Sequence, residues 1–225
     1  MEEEDISTKR IETSEFTLVG DPIQKTLGLT LTSGASTLLL KSITHIIHGT
    51  QIRNSRSATC LCRSVKSLVD VCPLNYNLSL RLAVCLTQQL EYLVKNGHSF
   101  YLFEPANVVM FDETRFVYIS TLHLTQINDA QLKICYPFTR SFFLSPEMKE
   151  IVCLPARVNV STSYYSLGML VVGSMFADQI ASIGEGSIRY ETLVDMLEPI
   201  HSTKLYWFLL RSIKQETQER VLLFC

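Results

Sequence analysis

The sequence predicts an α+β fold in which a small, β-rich N-terminal part precedes a larger, mainly helical part. Residues 15–47 contain three short runs of Thr, Ser, Leu and Ile, separated by Gly and Ser turns, and this pattern is typical of strands. Residues 77–97 instead carry leucines at helical spacing. Residues 161–176 are apolar almost all round, which favours a buried helix.

Composition limits the classes of function. The protein has 225 residues, of which 47% are hydrophobic and 19% charged, so it can bury a core and is not disordered overall. Its net charge of −2 gives no general attraction to nucleic acid or to an anionic membrane. We therefore expect a protein partner.

Cysteine usage and the character of the first residues predict a cytoplasmic, intracellular protein. The seven cysteines are an odd number, and several lie inside apolar runs, as buried free thiols do. The first residues, MEEEDISTKR, are acidic and unlike a signal peptide. The longest apolar run, near residues 166–177, is too short to span a bilayer.

In the N-terminal part, residues 1–14 are predicted to be a flexible acidic tail, and residues 15–64 a reduced β-rich segment. The runs EFTLVG, LGLTLTSG and STLLLKSI are interpreted as strands, and residues 48–59 as a polar loop. Residues 41–70 hold five basic residues against one carboxylate, a net charge of +4. This basic segment is either a solvated face or a docking patch for an acidic partner.

Four elements are predicted in residues 65–225. The stretch NLSLRLAVCLTQQLEYLVKNG is a helix that Asn77 can cap and that ends at Asn96-Gly97. Two apolar runs split by Asp112-Glu113-Thr114 predict a hairpin. A buried helix follows, capped by Ser161 or Ser163. The last element, HSTKLYWFLLRSIKQ, is an amphipathic helix.

Several short motifs along residues 65–224 occur in a recognisable order. Phe103-Glu104-Pro105-Ala106-Asn107 is similar to the Leu-Lys-Pro-Glu-Asn run of protein kinases, and Leu144-Ser145-Pro146-Glu147 to their Ala-Pro-Glu motif. Tyr165-Ser166-Leu167-Gly168 resembles the Trp-Ser-Leu-Gly of their buried central helix. The resemblance implies a protein kinase-like fold, with a mainly helical large lobe and a reduced β-rich small lobe. YYSLG and LYWFLLRSIKQETQER also resemble kinase-like proteins of large DNA viruses.

Where the resemblance places catalytic groups, this protein lacks them. Phosphoryl transfer by a kinase needs a carboxylate near the substrate hydroxyl, and a carboxylate and an Asn for Mg²⁺. The His-Arg-Asp triplet corresponds to Phe100, Tyr101 and Leu102, and the phosphate-binding Lys to Glu104. The Asp-Phe-Gly position falls near Ser120-Thr121-Leu122-His123, where no carboxylate is available for the metal. Asn107 remains, but one neutral oxygen cannot hold a hard dication against water.

The N-terminal part offers little for a nucleotide either. Gly34 lies in a loop that faintly resembles a phosphate loop, and Lys41 could stand for the strand lysine of the family. The sequence has no Glu between Glu15 and Glu91, so Lys41 lacks the helix Glu with which that lysine pairs. We therefore expect no ATP or Mg²⁺ cofactor and no metal site.

Structural positions of the family are better kept. The resemblance implies an ion pair between Glu147 and Arg220, and a loop architecture held by Pro105. Ser163 replaces an Asp that braces the catalytic loop in the family. A separate zinc-site hypothesis joins His45-x-x-His48 to Cys60-x-Cys62, although structural zinc sites usually have two to four residues between ligands.

Three functions follow as hypotheses. The first is a catalytically inactive kinase-like protein, a pseudokinase, that acts as a protein-interaction or scaffold module. The second is an atypical serine/threonine kinase that binds ATP, in which Asp112, Glu113 or Asp129 supplies the missing carboxylate. The third is a structural or assembly protein, for instance a virion component.

Overall fold

The computed structural model describes residues 10–21, 26–183 and 188–222, which form twelve strands and eight α-helices. The strands are β1 (Arg10–Glu12), β2 (Phe16–Asp21), β3 (Thr26–Leu31), β4 (Gln51–Ile52), β5 (Ser57–Leu61), β6 (Val65–Ser67), β7 (His98–Phe100), β8 (Val108–Phe111), β9 (Arg115–Tyr118), β10 (Leu124–Asn128), β11 (Gln131–Ile134) and β12 (Ala156–Asn159). The helices are α1 (Thr37–Ile46), α2 (Leu68–Val71), α3 (Tyr76–Lys95), α4 (Pro146–Lys149), α5 (Thr162–Met175), α6 (Ala177–Ile183), α7 (Tyr190–Met196) and α8 (Lys204–Ser212).

The first sheet is antiparallel, with strand order β1-β2-β3-β5-β4, and α1 lies between β3 and β4 in sequence. Its first strand corrects the predicted tail, because Arg10–Glu12 pair with β2. The remainder of that predicted tail, residues 1–9, lies outside the described residues. The predicted polar loop at residues 48–59 is also wrong in part, since β4 and most of β5 fall within it. Ala58 and Cys60 alternate toward the core there.

The run STLLLKSI is a helix and not the predicted strand. Ser36 caps α1 by accepting a hydrogen bond from the Leu39 backbone N–H at 3.1 Å. Leu39, Leu40 and Ile43 then fall on one buried stripe at helical spacing. Lys41 therefore lies exposed on a helix, where it cannot act as a strand lysine.

The longest helix, α3, was predicted correctly and lies at the centre of the molecule. Leu82, Leu86, Leu90 and Leu93 form its fully buried stripe. Its N-cap is Asn75, and not Asn77 as expected, because the Asn75 side chain accepts a hydrogen bond from the third helical residue. Helix α3 packs against α1, α5, β7 and β9, so it joins the N-terminal and C-terminal parts.

The predicted hairpin is present as β8 and β9, to which β6 adds a third strand. Asp112 and Glu113 form its turn with positive φ angles of 48° and 59°. The Asp112 carboxylate accepts a hydrogen bond from the Arg63 backbone N–H at 2.7 Å and pairs with Arg115 at 3.4 Å. These contacts explain Asp112 as a turn-stabilising group, whereas Glu113 lies 3.8 Å from Lys66 of β6.

A four-stranded antiparallel sheet, in the order β12-β11-β10-β7, was not predicted. Seven of the twelve strands, β6 to β12, lie within residues 65–225, which were expected to be mainly helical. The described residues are 40% helical and 24% strand, with small antiparallel sheets only. The predicted kinase-like architecture, with a mainly helical large lobe and a β-rich small lobe, is therefore wrong. Strands β10 to β12 were not recognised in the sequence, because only one face of their sheet is apolar and their remaining residues are polar.

The predicted buried helix is α5, and the predicted amphipathic helix contains α8. They pack closely at Gly168, where an added Cβ would collide with Ser212 of α8. A second, smaller core lies under the four-stranded sheet and is formed by Tyr101, Leu102, Leu132, Ile134, Leu144, Met148 and Val158. Within the described ranges, none of the helices has both the length and the apolar character that a membrane span requires.

Candidate functional site

The segment that resembles a catalytic loop begins in β7 and is built into the core. Phe100 and Leu102 are fully buried, and Tyr101 nearly so. The Phe100 ring packs edge-on against Tyr118 and Phe103, with centroid distances of 4.8 Å and 5.4 Å. These side chains fill space between strands and helices, so none of them offers an acid or a base to a substrate.

Glu104 follows this segment and lies half-buried beside a histidine. Its Oε2 is 3.9 Å from His123 Nε2, and its backbone N–H donates to the Tyr118 hydroxyl at 3.3 Å. Burial, and then the negative charge of Glu15, raise the pKa of Glu104. Because phosphate also carries negative charge, Glu104 would repel it.

Pro105 and Asn107 shape the turn after Glu104. A single 3₁₀ turn begins at Pro105 and ends at Asn107. Pro105 is the first residue of this turn, where a backbone N–H would have no partner within the turn, so its missing N–H costs nothing. The buried Asn107 side chain hydrogen-bonds to the Tyr118 hydroxyl, and the Asn107 backbone carbonyl accepts from the Ile119 N–H at 2.8 Å. Asn107 thus stabilises the β8–β9 hairpin. Among the described residues, no three His, Cys, Asp or Glu side chains come together as metal ligands.

A buried carboxylate that the sequence analysis did not single out occupies the adjoining site. Glu15 is only 2% exposed. Its Oε1 accepts from the Ser120 hydroxyl at 3.1 Å, and its Oε2 accepts from the Thr121 backbone N–H at 3.0 Å and from the Thr121 hydroxyl at 3.2 Å. The Ser33 hydroxyl also donates to Oε2. We call Glu15, Ser33, Ser120 and Thr121 the carboxylate latch.

The carboxylate latch lies in the region where the resemblance places a nucleotide. It joins the loop before α1 to the segment near residues 120–123, where the resemblance places the metal-binding Asp-Phe-Gly motif of kinases. Gly34 lies at the same contact, because a Cβ added there would lie 2.9 Å from the Thr121 hydroxyl oxygen. Gly34 therefore permits close packing of these two segments.

His123 and Tyr118 form a second buried polar pair next to the latch. The Tyr118 hydroxyl is 2.5 Å from His123 Nδ1, and the His123 backbone N–H donates to the Ser120 hydroxyl at 3.1 Å. Burial lowers the pKa of His123 to about 4, against the opposing effect of the Glu15 charge. Burial also raises the pKa of Tyr118 well above its usual range. At neutral pH the pair is uncharged, and both rings are held in place.

Helix α5 braces the loop from the other side. Ser163, where the resemblance to kinases places a bracing Asp, hydrogen-bonds to the Ser99 hydroxyl at 2.7 Å. Ser166 accepts from the Phe103 backbone N–H at 2.8 Å. The expected ion pair is present, since Arg220 binds Glu147 through two parallel bonds of 2.5 Å and 2.8 Å. These contacts fix the C-terminal part without providing chemistry.

The other candidate groups are not assembled into a site. Asp112 and Glu113 belong to the β8–β9 turn, and Asp129 to the β10–β11 turn. Of the hypothetical zinc ligands, His45 stacks on the Tyr92 ring. Cys60 and Cys62 are buried on β5 and beside it, and burial raises the pKa of Cys62 to about 12. A protonated, buried thiol is a poor metal ligand and a poor nucleophile.

One open cavity of about 430 Å³ lies at the latch and is lined in part by Ser33, Gly34 and Thr121. It is lined mainly by polar groups of the loop before α1 and of β7 and β10, among them Ser33, Ser36, His98 and Gln126. Neither a scan of protein-family models nor a search of curated proteins returns a match for this protein.

Proposed function

We propose that this protein is a catalytically inactive relative of protein kinases that acts as a protein-interaction or scaffold module. The observation that supports it is the carboxylate latch, in which Glu15 is saturated by hydroxyl and N–H donors. A triphosphate in this space would meet the negative charges of Glu15 and Glu104. The proposal concerns ancestry and activity, and it does not include the kinase-like architecture that the sheets contradict.

The setting of the proposed module is the cytoplasm, where its partner is a protein. Six described cysteines are free thiols, which a reducing compartment keeps in that form.

A second candidate, a structural or assembly component such as a virion protein, is favoured by one observation. Strand β12 lies at the edge of its sheet, and Val152 just before it is 91% exposed. Such an edge is suited to a contact with another protein.

The test is thermal unfolding of the purified protein with and without MgATP, together with transfer of labelled phosphate to a generic protein substrate. We expect no change in Tm and no transfer, because a ligand raises Tm only by binding the folded state. An active protein kinase run in parallel shows that both assays work. A rise in Tm that Asn107→Ala or Lys41→Ala removes, or labelled product that depends on Asn107, would overturn the proposal in favour of an atypical kinase.

A further inference from the structure

The four-stranded sheet presents one face that is exposed along β11 and β12. Its buried side carries Leu132, Ile134 and Val158 of the smaller core. Because side chains alternate along a strand, the residues between them point outward. We call this surface the outer face; its exposed side chains are Gln126, Asn128, Gln131, Lys133, Cys135, Arg157 and Asn159.

The outer face has a basic pair with no counter-charge. Lys133 and Arg157 lie directly opposite each other on β11 and β12. Neither forms an ion pair with any residue in the described ranges. Like charges in this position repel and destabilise a sheet. The outer face itself carries no carboxylate, and the nearest one in sequence, Asp129, lies in the β10–β11 turn.

Strand β12 also has an unpaired edge. The Val160 backbone N–H donates to the Ala130 carbonyl at 2.9 Å. In the register of β11 and β12, this bond determines which residues of β12 direct their backbone N–H and C=O groups toward β11, a pattern called here the hydrogen-bond phase. With that phase, the backbone polar groups of Arg157 and Asn159 point away from β11. No other described strand pairs with β12. An extended peptide could therefore add to this edge through its backbone.

Two exposed apolar side chains precede this edge. Val152 is 91% exposed and Leu154 is 36% exposed, in the segment that leads from α4 into β12. Such side chains next to a strand edge can contact an apolar residue of an added peptide. The apolar segment therefore runs directly into the backbone edge that carries one member of the basic pair.

We propose that the β12 edge binds an extended acidic segment of a partner protein by strand addition. Side chains of an added strand alternate between its faces, so carboxylates at every second position would lie on the outer face, next to Arg157 and one strand further from Lys133. An apolar residue of the same segment contacts Val152 or Leu154. This inference rests on the proposed function as an interaction module and names its surface and the chemistry of its partner. It assigns binding to the outer face and not to the basic segment at residues 41–70.

The test is fluorescence anisotropy of a labelled peptide of about eight residues that alternates Glu and Val, titrated with the 225-residue protein. We expect saturable binding that Arg157→Glu weakens by at least about tenfold, because it puts like charge beside the peptide. Lys133→Glu should weaken binding less, because Lys133 lies on β11, one strand further from the peptide. Arg56→Glu is the matched control, since Arg56 is also exposed but lies in the basic segment. It should leave the affinity unchanged. Far-UV circular dichroism verifies that all three variants fold.

Two further probes test the mode of binding. A peptide that alternates Lys and Val should not bind, and N-methylation of alternate backbone nitrogens on the Glu-Val peptide should abolish binding. Absence of binding by the Glu-Val peptide, equal weakening by Arg56→Glu, or full binding by the methylated peptide would overturn the inference. The proposed function fails separately, through a MgATP response in the thermal assay, so the two failures are distinguishable.

Discussion

At the scale of single residues, Glu15 explains how two segments distant in sequence are held together. A carboxylate loses strong hydration on burial and remains ionised only where donors replace the water. Ser33, Ser120 and Thr121 supply these donors from two segments. Because the donors come from segments far apart in sequence, one side chain ties the first sheet to the segment after β9. The same side chain adds negative charge where a phosphate would have to bind.

Residue-level interpretation of the sequence rested on side-chain chemistry, which is read directly from the residue types. On that basis Leu102 and Glu104 were interpreted as unable to do kinase chemistry at their positions, and this stays a prediction. Glu15 was not found, because it lies about a hundred residues before its partner Thr121 and no local pattern links them. His123 was noted only as part of a segment without a carboxylate. Its burial becomes visible only when Tyr118 and Ser120 are placed around it.

The first prediction concerns His123 and pH. Burial lowers its pKa in the folded state from 6.5 to about 4. As the pH falls below 6.5, the unfolded protein takes up a proton that the folded protein does not, so stability is lost on acidification and is level above that pH. Between pH 7 and pH 5 we expect a loss of about 2 kcal/mol from this group. Urea unfolding at the two pH values measures it.

The His123→Gln variant should remove this pH dependence, because glutamine does not titrate. His48→Gln is the control, since His48 is exposed and its loss should leave the dependence intact. The comparison with His123→Gln isolates the histidine, because Glu104 and Glu147, whose pKa values are shifted in opposite directions, are present in both proteins. An equal loss of stability in the wild type and in His123→Gln would refute the assignment.

At the scale of elements, a helix or strand was predicted correctly where its apolar residues form a long or clearly bounded pattern. Helix α3 and the β8–β9 hairpin were predicted because their apolar residues repeat over many positions or flank a clear turn. Helix α1 was misread as a strand, since its short run of leucines fits either periodicity until Ser36 is recognised as a cap. Strands β10 to β12 each expose one polar face to solvent, and their few buried residues give too weak a signal.

The second prediction concerns the element contacts made by Arg220. Its guanidinium is fully buried, binds Glu147 through two bonds, and donates to the backbone carbonyl groups of Lys214 and Gln215. Arg220→Ala should lower the free energy of unfolding by about 3–5 kcal/mol, because it leaves the Glu147 carboxylate without its counter-charge. The pKa of Glu147, which the Arg220 contact holds down, should rise in the variant. Urea unfolding at pH 7 gives the first quantity.

A nearby exposed ion pair provides the control for Arg220. Lys214 and Glu219 lie 3.9 Å apart near the surface, and Glu219→Ala should change stability by less than about 1 kcal/mol. If Arg220→Ala and Glu219→Ala had similar effects, the Glu147 pair would not be an important link between α4 and the C-terminal segment.

At the scale of the whole molecule, two polar side chains join the first sheet and α1 to the remainder. Glu15 does so through the carboxylate latch. Gln89 of α3 joins them by donating a hydrogen bond to the Ser42 hydroxyl of α1 at 3.1 Å. The same side chain donates to the Tyr118 backbone carbonyl at 2.9 Å and accepts from the Tyr118 backbone N–H at 2.8 Å. Both side chains are buried, so their loss leaves unsatisfied donors and acceptors on each side. Glu15 and Gln89 therefore couple the unfolding of the first sheet and α1 to the unfolding of the remainder of the molecule.

The last prediction follows from this coupling. In the wild type, urea unfolding followed by far-UV circular dichroism and by fluorescence of Trp207, the single tryptophan, should give coincident transitions. In the double variant Glu15→Ala/Gln89→Ala, the circular dichroism signal should begin to fall at lower urea than the Trp207 signal. The reason is that Trp207 lies on α8, which packs on α5, whereas the first sheet has lost both polar links.

The double variant Glu12→Ala/Gln88→Ala is the matched control, because these exposed residues are close in sequence to Glu15 and Gln89. Its two transitions should coincide, and coincident transitions in both double variants would mean that apolar packing between α1 and α3 alone keeps the molecule cooperative.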